Sequence, residues 1–380
     1  MAKIGVVTLH NSINYGGVLQ AVALNECLKK QAHEVVFLNY QKEWPVFNSP
    51  IKYRKLRIHY YGNQGVLTKF RILGGMAKTA LSNIYYIERK RKHDGFQKFV
   101  NKYLAVTPQY NSMEELKENY PDCDFYITGS DQVWNNYYTM NRFDEAYFLG
   151  FVDDGNKKIA YGASIGGARD DAYVKEIISL IKDFKAISVR EKSLEEQMIR
   201  LGASLAGTVL DPTLLLTAKD WMQFEKTVDI NEPFILMYGL EQSDGLDQIV
   251  QNLHQKYNIC IVDIFPGLTK IKGIKYCDKV CSPGEFLWYA RNASYIVTNS
   301  FHGTVFSIIF EKDFLTIARS YQESRMVDLL SSLGLSKRLW EQNKSSFFDE
   351  LDVIDYGVVK KRLKCYQKES LQFLLGALND

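Results

Sequence analysis

The first forty residues constrain the fold most. "KIGVVTL" (3–9) reads as a strand, "HNSINYGG" (10–17) as a glycine-containing loop, "VLQAVALNECLKKQ" (18–31) as a helix and "EVVFLNY" (34–40) as a strand. Apolar runs bounded by polar turns and joined through a helix make a βαβ unit, the start of a parallel sheet. The alternation resumes at "DFYITGSDQVW" (124–134), "KKIAYGASIGG" (157–167) and "AISVREKSLEEQMIRLG" (186–202), and "GTVLDPTLLL" (207–216) closes this half.

A Pro-containing stretch near Asp229–Pro233 leads into "FILMYGL" (234–240), which opens a second alternating half. Helix 244–257, strand 259–265, helix 283–292, strand 294–299, helix 303–310, strand 314–318, helix 324–333 and an amphipathic helix at about 356–378 follow. The fold class is α/β, with two doubly wound Rossmann-like domains in tandem facing a cleft. The expected divisions are 1–216, carrying a basic helical excursion at about 41–100, then 217–345, then a C-terminal segment 346–380 packing back across both. A chain of 380 residues is long enough for two such cores. Its 24 Tyr and 21 Phe are read as core filling, with sugar-stacking surfaces as the functional alternative.

Cys27, Cys123, Cys260, Cys277, Cys281 and Cys365 are scattered and read as reduced thiols, which points to the cytoplasm. The N-terminus enters a strand too early for a signal peptide, and no apolar run approaches the roughly 20 residues that span a bilayer. A net charge of +3 gives no reason to expect nucleic acid. The charge is uneven, however: Lys52, Arg54, Lys55, Arg57, Lys69, Arg71, Lys78 and "RKRK" (89–92) stand against Glu88 alone. Such a stretch is either a solvated helical surface or one that meets anionic lipid head groups or a lipid-linked diphosphate at the inner face of a membrane.

Ligands of doubly wound sheets bind beyond the carboxyl ends of the strands, so polar residues there are the candidates. The first strand ends in Asn14, Tyr15, Gly16 and Gly17, with Gln20 one helical turn on. Small residues before a helix can present free amides to an anion, although no G-x-G-x-x-G fingerprint is present. Gly129, Ser130, Asp131, Gln132 and Trp134 close another strand, more polar groups than a helix cap needs. Arg190 ends "ISVREKS"; it requires an anionic partner, either Glu191 or Glu195 within the chain or a ligand. Asp211, before Pro212, is a candidate internal partner for such an arginine. In the second half Ser300, His302, Gly303 and Thr304 lie at a strand-to-helix turn, and Arg325 starts the next helix, where a cation gains from a nearby anion. No His/Asp cluster has metal-ligand spacing, so neither metal nor cofactor is expected.

These segments together resemble the polysaccharide pyruvyl transferase family. The matching stretches include "KIGVVTLHNSINYGGVLQAVALNECL", "KKIAYGASIG", "ISVREKSLEEQM", "VLDPTLLL" and "SRMVDLLSSLGL", and "DFYITGSDQVWN" and "IVTNSFHGTVFSIIFEKDF" are the specific ones. The resemblance implies a GT-B-like fold and transfer of the enolpyruvyl group of phosphoenolpyruvate to two hydroxyls of a sugar. The product is a pyruvate ketal in a cell-surface (capsule or exopolysaccharide) glycan or its lipid-linked precursor, with release of phosphate. On this basis His302, Asp131 and Arg190 are the catalytic candidates. Arg190, Ser300, His302, Gly303, Thr304 and Arg325 would bind the donor in the second half. Asn14, Tyr15, Gly16, Gln20, Gln132 and Trp134 would bind the acceptor in the first. One departure stands out: the family pattern S-x-R-x-H has an arginine two residues before the histidine, where this chain has Ser300, so Arg325 is the candidate replacement. The alternatives are a nucleotide-sugar glycosyltransferase of the same architecture and a non-catalytic glycan-binding protein.

Overall fold

The computed structural model describes residues 1–41, 87–136, 142–204, 207–241, 243–264, 271–317, 323–340 and 352–379. Of the basic excursion expected at about 41–100, residues 42–86 lie outside them. In the first half, strands β1 (Lys3–Val7), β2 (Glu34–Phe37), β3 (Phe125–Gly129), β4 (Lys158–Ala163), β5 (Ala186–Val189) and β6 (Gly207–Thr208) form one sheet in the order β2-β1-β3-β4-β5-β6. In the second, β7 (Phe234–Tyr238), β8 (Cys260–Asp263), β9 (Ile274–Cys277), β10 (Tyr295–Thr298) and β11 (Asp313–Thr316) follow the order β11-β10-β7-β8-β9. Every pairing is parallel. Such sheets are covered on both faces, which is why β3, β4 and β7 are buried along their whole length.

Two sequence expectations change. Strand β9 was not expected, because "IKYC" alternates half-buried and exposed positions and offers no apolar run. The helix expected from 303 begins at Phe301, since the Ser300 side chain caps it by accepting from the Gly303 amide. His302 therefore lies within the first helical turn.

Helix α1 (Tyr15–Lys29) explains how the halves join. All its residues except Glu26 and Lys29 are buried, so it has no solvent face and sits between the two halves. Tyr15 stacks on Phe286 at 4.6 Å between centroids, meets Tyr238 edge-on, and donates its hydroxyl to the Cys281 carbonyl at 2.9 Å. A helix over residues 87–103 runs alongside; it buries Lys92 over the Tyr15 ring and leaves Arg89, Lys90 and Arg91 exposed. The C-terminal helix Tyr356–Ala377 touches both halves, through Gln367 and Ser370 to Leu214 and Leu210, and through Tyr356 to the Ser307 carbonyl. All six cysteines are free thiols. Among the described residues no helix is long and apolar enough to cross a membrane.

Candidate active site

Each sheet reverses strand order once, and the crevice at such a reversal is the binding position of this fold class. In the first sheet it falls between β1 and β3, whose ends carry Asn14 and Asp131. In the second it falls between β7 and β10, beyond which His302 follows. Asn299 ties that crevice together, accepting from the Leu240 amide at 2.7 Å and donating to the Glu241 carbonyl at 3.0 Å.

His302 crosses from the second half into the first. Its Nε2 lies 3.3 Å from Asp211 Oδ2, and its ring packs directly on Gly16. Asp211 Oδ1 accepts from the amide and hydroxyl of Thr213, leaving Oδ2 to serve both His302 and Arg190. Burial would raise the Asp211 carboxyl, but His302 and Arg190 hold it well below the usual carboxylate range. A carboxylate on Nε2 fixes a proton there in the neutral ring, which leaves Nδ1 as the basic nitrogen.

Arg190 pairs with Asp211 and lies 3.5 Å from Asp131 Oδ1 through Nη2, rather than pairing with Glu195, which accepts from Thr208. Burial works to lower its pKa, yet the carboxylates of Asp211, Asp131 and Glu191 outweigh it and the net shift is upward. Apart from the ion pair with Asp131, its Nε and Nη2 have no hydrogen-bond partner among the described residues. That is the edge of a guanidinium that takes a carboxylate or phosphate bidentately. Arg325 converges from the helix Glu323–Leu333, with its Nε 3.9 Å from Glu191 Oε1 and likewise without a hydrogen bond. Burial, then Arg190, lowers the Arg325 guanidinium to about 10, so it stays charged at neutral pH.

Other expected site residues are spent on structure. Asn14 is exposed and caps α1, its Oδ1 accepting from the Gly16 amide at 2.9 Å and the Gly17 amide at 3.4 Å, so these amides are not offered to a ligand. Gln20 is fully buried; it donates to Thr8 and to the Gly17 carbonyl and accepts from the Ser130 amide, which fixes the loop that carries Asp131. Trp134 is enclosed, stacked on Phe148, with its indole N–H on the Tyr147 carbonyl. With Tyr15 also interior, these three present no surface to an acceptor; apolar neighbours took rings that the strand-end rule placed at the opening. Gln132 is half-buried and bonded to Asn135. Thr304 is buried between Ser300 and Thr316, and Gly303 packs so closely on Thr298 that a Cβ would stand 2.3 Å from its hydroxyl.

Three participants escaped sequence reasoning as site residues. Asp211 shows in the sequence only as a turn residue or internal partner. Glu191, buried with Oε1 on Ser164 and Oε2 unpartnered among the described residues, shows in the sequence only as a candidate structural partner of Arg190. Phe301, beneath both guanidinium groups, looks like core. For a metal, the described residues offer only Asp278, Cys281 and Glu285, whose ligand atoms lie within 4.8 Å of one another. Glu285 is already held by Ser282 and Lys226, and burial pushes the Cys281 thiol up, so this group serves the fold.

Two parallel α/β halves thus share a buried crevice in which Arg190 and Arg325 meet His302 and the carboxylates of Asp211, Asp131 and Glu191. Residues 14–321 match the family described as polysaccharide pyruvyl transferase. The chain belongs to that family and is a transferase. No curated protein matches the chain. Similar solved structures include the glycotransferase of kitacinnamycin, 11% identical, covering 98% of this chain and 95% of that one with a TM-score of 0.45. The calicheamicin glycosyltransferase CalG4 is 11% identical, covering 98% and 95%, with a TM-score of 0.42. MnaA of S. aureus, solved with UDP, is 12% identical over 97% and 91%, also at 0.42. The family membership rests on the sequence match alone.

Proposed function

We propose that the chain transfers the enolpyruvyl group of phosphoenolpyruvate to two hydroxyls of a sugar, forming a pyruvate ketal and releasing phosphate. The observation that carries this is the buried Nε–Nη2 edge of Arg190, without a hydrogen bond among the described residues, beside the likewise unbonded Nε of Arg325 and next to the His302–Asp211 pair. Beside the carboxylates of Asp211, Asp131 and Glu191 these guanidinium groups still have unused donors, and phosphoenolpyruvate carries two anionic groups that could take them. Ketal formation adds one hydroxyl oxygen to the enol carbon as a proton reaches the methylene carbon. Phosphate then leaves, and the second hydroxyl adds with loss of its proton. His302 Nδ1 exchanges those protons, a role typically worth about 10²–10⁴ in rate, while Asp211 steadies the imidazolium. Asp131 orients or deprotonates an acceptor hydroxyl.

The acceptor is a glycan, free or lipid-linked, approached from the side of Asn14 and Gln132. The exposed Arg89, Lys90 and Arg91 suit contact with anionic head groups or with the diphosphate of a lipid-linked acceptor. Free thiols throughout fit a cytoplasmic enzyme. Calorimetric titration separates this from nucleotide-sugar glycosyl transfer: phosphoenolpyruvate binds and nucleotide sugars do not. The reverse pattern refutes the proposal.

A further inference from the structure

We propose that Phe301 is a positioning residue that holds Arg190 and Arg325 as a pair, so that the site selects a ligand with two anionic groups over one with a single such group. The inference rests on the donor assignment above in taking phosphoenolpyruvate as that ligand. The Phe301 ring centroid lies 5.1 Å from the guanidinium carbon of Arg190 and 5.4 Å from that of Arg325. The ring is 8% exposed, so both contacts are made largely out of water. There a cation over an aromatic face gains most.

The two arginines need such a partner unequally. Arg190 comes from the end of β5 in the first half and is anchored by Asp211 and Asp131. Arg325 comes from the second half; the carboxylates of Glu191, whose Oε1 is 3.9 Å away, Asp131 and Asp211 work against its burial and the charge of Arg190 without outweighing them. Without an aromatic face the pair would drift apart. Leucine would fill similar space and attract neither. Phe301 also adjoins His302, the rings meeting edge-on at 5.2 Å, so one helical turn places both the cation pair and the proton carrier.

A residue that merely fills space would weaken every ligand alike; one that sets the spacing of two cations changes the ratio between ligands. The test is calorimetric titration of the full chain, as wild type, F301L, F301M and F301Y, with phosphoenolpyruvate and with inorganic phosphate. In F301L and F301M, phosphoenolpyruvate is expected to bind about tenfold more weakly while phosphate changes less than about twofold. F301Y, which keeps the ring, restores the wild-type ratio. Equal weakening of both ligands, or of neither, in whichever of the leucine and methionine variants folds overturns the proposal. A wild type that binds phosphate but not phosphoenolpyruvate instead refutes the donor assignment, and pyrophosphate then replaces it in the same proteins. A pyrophosphate preference lost with the ring sustains the pairing, and no such preference overturns it. A wild type that binds none of these anions overturns both.

Discussion

An alanine at position 16 would place its Cβ 1.9 Å from His302 Nδ1 and 2.4 Å from Cε1. The imidazole would have to leave the 3.3 Å contact with Asp211. Displacements near 1 Å cost about 10² in rate, so Gly16→Ala is expected to lower kcat by about that factor with little change in donor affinity, since Arg190 and Arg325 stay in place. His302→Ala should fall further, by about 10²–10⁴. Steady-state kinetics of both variants check this, and an unaltered kcat in either contradicts the role given to the ring. His302 and Arg190 are legible in the sequence as polar groups closing apolar strands. Gly16 reads there as a turn residue or a ligand-binding amide and not as the seat of His302, because the imidazole lies 286 positions away and only the folded chain brings it there.

The elements were legible in type more than in edge. Alternating apolar runs specify parallel strands, and helix 244–257 begins and ends where its pattern does. The helix bearing His302 starts two residues early because a serine cap, not an apolar period, sets its start. The end of β1 shows what such edges carry. His10 is buried against Phe37, donates to the Thr8 carbonyl through Nδ1, and has no partner at Nε2 among the described residues. Burial lowers it from 6.5 to about 4, against a smaller opposing effect of the Thr8 carbonyl. The unfolded chain takes up this proton as pH falls through 6.5, whereas the folded chain takes it up only near 4. The stability is therefore complete above 6.5 and lost between 6.5 and 4, amounting to about 3 kcal/mol. Urea unfolding at several pH values should show wild type losing more stability over that window than His10→Gln. Equal losses would remove His10 as the cause.

At the scale of the molecule, the site exists only because the halves are joined. Arg190, Asp131 and Asp211 come from the first, His302, Phe301 and Arg325 from the second, and α1 with Tyr15 locks the two against each other. That two halves face each other is legible in the sequence; which aromatic rings are packed inside is the least legible feature. Tyr15 and Trp134 carry the same aromatic letters whether they face a ligand or a core, and here burial in tertiary packing decided for the core. In the proposed reaction this composite crevice moves a pyruvyl group. The direct measurement incubates the purified chain with phosphoenolpyruvate and candidate glycans, free and lipid-linked, and follows phosphate and glycan mass together. The predicted result is one phosphate released for each glycan that gains one pyruvate less one water, and neither signal from His302→Ala. Glycan that gains a sugar residue from a nucleotide sugar, with no phosphoenolpyruvate consumed, would contradict it.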